Sequence, residues 1–218
     1  MSKRFDLAAV RLYVITDARP RLPLERFLDA AISGGVGMVQ LRDKHLADPE
    51  LLEVATECAR FCRQRGVAFI VNDRADIALA SGADGVHLGQ DDMSVTSARA
   101  LLGRDRITGL STHTPEQVSA AREAQVDYIA IGPIYETPTK PGRPAVGLEL
   151  VRYAAAYAAQ PFFAIGGLEP ANIPDVVEAG ARGISVHRYV AQSPDPQRAA
   201  REILEAIERR AALAMSRG

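Results

Sequence analysis

Five consecutive residues, Gln40-Leu41-Arg42-Asp43-Lys44, carry the densest chemistry in this chain of 218 residues. In extended geometry Gln40, Arg42 and Lys44 point to one side. Two cations and an amide converging on one space could hold a diphosphate. Arg offers a bidentate fork and Lys a point charge, and each charge-assisted contact is worth about 1.5–3 kcal/mol. The bland reading is a strand end with solvated charges, but this run leaves an apolar strand. Asn72-Asp73-Arg74 and Gln90-Asp91-Asp92 add carboxylates. Mg2+ takes oxygen ligands and commonly uses one or two carboxylates together with substrate phosphate oxygens. Asp is equally a preferred helix cap, and chemistry alone does not separate Asp91 from Asp92.

Further donors follow along the chain. Ser111-Thr112-His113 ends an apolar run, and the segment from Gly132 to Gly142 carries Thr137, Thr139 and Lys140. That segment is too long for a simple connection, and such loops are commonly lids or binding loops. Its prolines limit the freedom lost on closing. A disordered tether is the alternative. Gly166-Gly167 could offer backbone N–H groups to a phosphate.

These residues need elements to position them. Short, continuous apolar runs alternate with helix-length segments, as expected for strands covered on both faces. The pattern predicts strands at Arg11–Thr16, Met38–Leu41, Ala68–Asn72, Gly85–Leu88, Ile107–Ser111, Tyr128–Ile131, Phe162–Ile165 and Gly183–Val186. Helices are expected at Leu24–Gly34, Pro49–Arg65, Ser94–Leu102, Pro115–Ala124, Leu148–Ala159, Pro170–Ala179 and Asp195–Ala214. Eight such units imply a single-domain α/β protein, a (β/α)8 TIM barrel, with an open doubly wound sheet as the alternative. A faint repeat supports closure. Small-residue approaches precede the second, fourth, sixth and eighth strands, where glycine can end the preceding helix in a left-handed conformation. In a barrel the site lies at the carboxyl ends of the strands, where every residue singled out above falls.

Composition removes several classes. The net charge of −1 gives no basic field for nucleic acid or anionic membrane. No stretch approaches the roughly 18 apolar residues of a membrane span, and the charged start lacks a signal-peptide core, so a cytoplasmic protein is expected. The four histidines are scattered, and Cys58 and Cys62 share one helix face, which reads as buried thiols.

Taken in order, YVITD (Tyr13–Asp17), QLRDK (Gln40–Lys44), NDRAD (Asn72–Asp76), GADGVHLGQDD (Gly82–Asp92), STHT (Ser111–Thr114), IGPIYETPTKP (Ile131–Pro141) and AIGGL (Ala164–Leu168) resemble the thiamine phosphate synthase family. AIGGL and GADG occur in many barrels, whereas the combined order is specific and runs from about residue 12 to 190. The resemblance implies an enzyme joining an aminopyrimidine diphosphate to a thiazole phosphate. Gln40, Arg42, Lys44, Asn72, Ser111 and Lys140 would bind the diphosphate substrate, with Leu41 and Asp43 inside the same binding run. Asp73 and Asp92 would carry Mg2+. Thr137, Pro138, Thr139 and Gly167, with backbone at His187 and Arg188, would hold the thiazole phosphate. Arg42, Lys44, Lys140 and Ser111 form the implied catalytic set.

Two departures stand out. His187-Arg188-Tyr189 replaces a small aliphatic residue followed by Ser, and Gln125-Val126 replaces Gly-Ala. Backbone binding would tolerate the first change, or Arg188 would add its own ion pair. The implied mechanism is dissociative: cations stabilise departing pyrophosphate, the electron-rich pyrimidine stabilises the methylene cation, and the thiazole nitrogen attacks. That nitrogen carries no proton, so bond formation needs no general base. Two rivals are a thiazole tautomerase using His113 or His187, and a non-catalytic phosphate-ligand sensor.

Overall fold

The computed structural model describes residues 5–137, 142 and 144–215, with side chains through 209. Its strands are β1 Leu12–Thr16, β2 Met38–Leu41, β3 Ala68–Asn72, β4 Gly85–Leu88, β5 Ile107–Thr112, β6 Tyr128–Ile131, β7 Phe162–Ile165 and β8 Gly183–Val186. All are parallel and close into one barrel in chain order. β1 pairs with both β2 and β8, which excludes the open sheet. β1 starts one residue later, and β5 ends one residue later, than the sequence pattern predicts.

The helices are α1 Leu24–Ser33, α2 Asp48–Arg65, α3 Ala75–Ala80, α4 Val95–Leu102, α5 Pro115–Ala120, α6 Gly147–Tyr157, α7 Ile173–Glu178, α8 Arg188–Ala191 and α9 Pro196–Met215. Local signals set several of their starts. The Ser94 hydroxyl accepts from Ser97 N at 3.1 Å before α4, and Thr114 accepts from Gln117 N at 3.3 Å before α5. α3 and α8 escape the sequence pattern because each is under two turns, too short for a period to register. α7 begins later than Pro170 because Asn172 Oδ1 accepts from Glu169 N and holds that stretch in a turn.

Strand alternation sorts side chains into two buried layers. Outward residues such as Val14, Leu41, Phe69 and Ile131 meet Phe27, Val151, Ile173 and Ile203 of the helices. Inward residues Tyr13, Met38, Ile70, Tyr128 and Phe163 form a separate cluster inside the barrel. The rings of Tyr13, Tyr128 and Phe163 meet edge to face, with centroids 5.3–5.8 Å apart. Gly109 is fixed by this layer, since a Cβ there would collide with the Tyr128 ring.

At the amino ends of the strands, the charged side chains are tied to backbone groups and to each other. Asp84 accepts from Phe69 N at 3.0 Å, and Asp127 accepts from Thr108 N at 2.8 Å. Arg99 pairs with Asp127 at 2.6 Å, with both side chains under one-tenth exposed. Gly35, Gly82 and Gly180 adopt the left-handed conformation that the repeat predicts before β2, β4 and β8. No helix among the described residues is long and apolar enough to cross a membrane.

Candidate active site

One step toward the carboxyl ends, several inward residues turn polar. Met38 is followed by Gln40, Ile70 by Asn72, and Gly183 by Ser185, with His87 and Ser111 at the matching level and Ile15, Ala130 and Ile165 apolar beside them. These residues floor a cavity of about 800 Å³ that opens at the carboxyl ends. A hydrogen-bond chain crosses the floor. Gln40 Nε2 donates to Tyr13 Oη, the Tyr13 and Tyr128 hydroxyls meet at 2.9 Å, Tyr128 meets His87 Nδ1 at 3.0 Å, and His87 Nε2 meets Ser111 Oγ at 2.9 Å. Burial raises both tyrosine pKa values and keeps the phenols protonated. Gln40 Oε1 and Ser185 Oγ are buried without a partner among the described residues. A buried acceptor left in that state is costly, so a ligand donor is the natural partner for Gln40 Oε1.

Above the floor, Arg42 and Lys44 leave β2 toward the cavity. Lys44 Nζ lies 3.5 Å from Asp73 Oδ2, and the Arg42 guanidinium makes no hydrogen bond or ion pair among the described residues. Asp73 sits at φ 62°, the one described non-glycine residue in the left-handed region. Its N–H donates to His87 O at 2.8 Å, which ties the turn to β4. Strain of this kind, of order 1–3 kcal/mol, persists where neighbours over-determine it and clusters at functional sites. Asp92 Oδ2 accepts from Gly89 N at 2.7 Å. The Asp73 and Asp92 carboxyls face each other within hydrogen-bond reach. Burial and then the Asp92 charge push the Asp73 pKa up, against Lys44 and Arg42. Burial also pulls on Asp92, but the bonds from Asp73 and Gly89 N–H outweigh it and hold its pKa low. A divalent cation between them would relieve this crowding. No cluster of three His, Cys, Asp or Glu occurs among the described residues, so water and substrate oxygens would supply the remaining ligands.

The opposite wall comes from β6, β7 and β8. Ile134 N donates to Ile165 O at 2.8 Å and Tyr135 N to Gly166 O at 3.0 Å, so the loop after β6 starts along β7. Gly166 and Gly167 both have positive φ, and a Cβ on either would strike that loop's backbone. Thr137, Gly167, His187 and Arg188 line this side. Burial lowers the His187 pKa, assisted by Arg42 and Arg188 and opposed by Asp17. Both His187 ring nitrogens are buried without a partner among the described residues.

The sequence-predicted residues Gln40, Arg42, Lys44, Asn72, Asp73, Asp92, Ser111, Thr137, Gly167, His187 and Arg188 therefore share one cavity. Pro138, Thr139 and Lys140 lie outside the described residues. Two expectations need correcting. Leu41 faces outward into the helix-packed core, because alternation turns it away from Gln40. Asp43 is also absent from the lining. Its carboxylate accepts from Ala18, His45 and Leu46 N–H groups and shapes the turn instead. Sequence reading missed Tyr13, His87 and Glu136 as lining residues. His87 had a usable signal: it is polar, inside an apolar strand, and in phase with inward Gly85.

Fold and cavity together define a (β/α)8-barrel enzyme with its site at the carboxyl ends of the strands. The family model described as thiamine monophosphate synthase matches residues 12–190. A thiamine-phosphate synthase of Acidothermus cellulolyticus is 51% identical over 200 residues, covering 90% of this chain and 94% of that protein. One of Mycolicibacterium smegmatis is 46% identical, covering 92% and 93%. The solved thiamine phosphate pyrophosphorylase of Pyrococcus furiosus superposes with a TM-score of 0.84 at 31% identity, covering 93% and 98%. The chain belongs to the thiamine monophosphate synthase family.

Proposed function

We propose that the cavity joins an aminopyrimidine-methyl diphosphate to a thiazole phosphate, giving thiamine phosphate and pyrophosphate. The observation that carries this reading is the convergence of Arg42, Lys44, Asp73 and Asp92 over a floor that offers an unpartnered Gln40 acceptor. A diphosphate would lie against Arg42, Lys44 and Ser111, with Asn72 beside it, and the family resemblance adds Lys140 to its ligands. Asp73 and Asp92 would hold Mg2+, which when bound supplies positive charge to the diphosphate oxygens. The pyrimidine would rest on the floor, its amino group donating to Gln40 Oε1. The thiazole phosphate would take the wall of Thr137, Gly167, His187 and Arg188, and the family resemblance adds Pro138 and Thr139 to its contacts. Arg42, Lys44 and Lys140 would stabilise charge as it moves to the leaving pyrophosphate. The thiazole nitrogen attacks with its own lone pair, so neither His113 nor His187 needs to move a proton.

The relatives that match nearly the whole chain carry the synthase's name, which favours this reading over the tautomerase and the sensor. A cytoplasmic setting is in keeping with two buried, unpaired cysteines. The test is direct: purified protein is mixed with both substrates, with and without Mg2+, and thiamine phosphate and pyrophosphate are measured. Product that requires both substrates and Mg2+ is expected. No product in any combination overturns the reading, and turnover of the thiazole phosphate alone would point to the tautomerase.

A further inference from the structure

We infer that the chain Gln40–Tyr13–Tyr128–His87–Ser111 is a polarity relay that sets, across the barrel floor, which end of the site accepts a hydrogen bond and which end donates one. The inference builds on the proposed binding of an aminopyrimidine diphosphate. Its middle residues, Tyr13, Tyr128 and His87, are positioning residues acting through Gln40 and Ser111.

Each phenol has one proton to give, and a neutral imidazole has one N–H and one acceptor nitrogen. The four contacts therefore admit two self-consistent directions. In the first, Gln40 Nε2 donates to Tyr13, Tyr13 to Tyr128, Tyr128 to His87 Nδ1, and His87 Nε2–H to Ser111 Oγ. Ser111 is then left with its own O–H free to donate into the cavity. In the second, every bond runs backwards: Gln40 Oε1 accepts from Tyr13, and the Ser111 O–H donates to His87 Nε2. Ser111 then shows the cavity only lone pairs.

The structure has the first direction at its Gln40 end, with Nε2 on Tyr13 and Oε1 unpartnered. The tyrosine and histidine contacts are compatible with it throughout. That direction suits the substrate at both ends. Gln40 Oε1 accepts from an exocyclic amino group, and the Ser111 hydroxyl donates to a diphosphate oxygen. The reverse direction would set an N–H against the amino group and oxygen lone pairs against an anion. The two ends of one substrate thus select the same proton arrangement, and the Gln40 end of the chain already matches it. Tyr128 does not line the cavity and is fully buried, so any effect of its hydroxyl on substrate selection must pass through the chain.

The relay is tested by 15N NMR on the full-length protein, with the His87 resonances assigned by their loss in His87→Gln. The expected result is a neutral His87 protonated at Nε2, with Nδ1 as acceptor. In Tyr128→Phe the two tautomers should mix. The kcat/KM for the pyrimidine diphosphate should fall by about 10- to 100-fold, while the KM for the thiazole phosphate stays within about twofold. In the wild-type background, Gln40→Ala and Ser111→Ala should cost less together than the product of their separate effects. In Tyr128→Phe the two effects should multiply. An Nδ1-protonated His87, or multiplicative effects already in the wild-type background, overturns the relay. If Tyr128→Phe does not fold, the wild-type tautomer and the wild-type double mutant still decide. If the unaltered protein makes no thiamine phosphate, the functional reading falls, and the tautomer of the free protein still decides the relay.

Discussion

The two ends of the barrel use the same residue types for opposite ends. At the amino ends, Arg63 donates to Gly82 O, Arg99 to Gln125 O and Asp127, and Arg106 to Ala83 O. Asp84 and Asp127 each accept a strand N–H. At the carboxyl ends, the Arg42 guanidinium makes no hydrogen bond or ion pair among the described residues. There Lys44 lies 3.5 Å from Asp73, and two aspartates face each other. Satisfied polar groups hold structure together, whereas crowded like charges and unpartnered donors cost stability and are kept where a ligand completes them. The difference separates a rim that stabilises from a rim that binds.

The largest effects should fall on stability at one rim and on rate at the other. Asp127→Ala removes the carboxylate of the buried Arg99 guanidinium, leaving that charge on backbone carbonyls alone, and strips the Thr108 N–H of its acceptor. It should cost about 3–5 kcal/mol in urea unfolding, with kcat of the folded enzyme nearly unchanged. Asp73→Asn should do the reverse. Asn tolerates the left-handed conformation and relieves repulsion with Asp92, so the melting temperature should hold or rise. Turnover should fall about 10²- to 10³-fold in steady-state assays. A Asp127→Ala variant that keeps its stability but loses turnover would erase the distinction.

The two rims were not equally legible from sequence. The amino-end glycines and the eight apolar runs announce the barrel because a strand buried on both faces tolerates few polar residues. The carboxyl-end charges announce a site by position alone. Alternation already sets Gln40, Arg42 and Lys44 apart from Leu41 and Asp43, and it was the family resemblance that kept all five as one binding run. Gln40 and Leu41 are adjacent, yet one faces the cavity and the other the helices, and the resemblance to a family treats them alike. Asp43 was hidden for another reason. Its role depends on N–H groups from Ala18, His45 and Leu46, and the first of these lies in a different turn. Tyr13 and Tyr128 looked like core aromatics, which they are. Their hydroxyls gain a second role only because β1 and β6 face each other across the closed barrel.

A smaller effect should appear at the wall opposite the cations. Gly167→Ala forces a side chain into φ 66° and against the backbone of Tyr135 and Glu136. About 1–2 kcal/mol of stability should be lost. If this wall holds the thiazole phosphate, its KM should rise while that of the pyrimidine diphosphate stays put. Equal rises in both would place the glycine among the purely structural residues.

The smallest effect sharpens the division most, because Asp43 sits at the binding rim and behaves like the amino-end aspartates. Burial would raise its pKa, but hydrogen bonds from His45, Ala18 and Leu46 N–H outweigh that and hold it below the ordinary 3.8. A carboxylate depressed in the folded state contributes stability that is fully present above the unfolded pKa. That stability is lost as pH falls through the folded value. Asp43→Asn retains an acceptor and has no proton to take up. Urea midpoints measured from neutral pH down to about pH 3 should therefore decline less steeply in Asp43→Asn than in the unaltered protein. Turnover at neutral pH should change by less than about threefold, because the side chain shapes the turn without reaching the cavity. Parallel midpoint curves with a large loss of turnover would instead put Asp43 with the residues that bind.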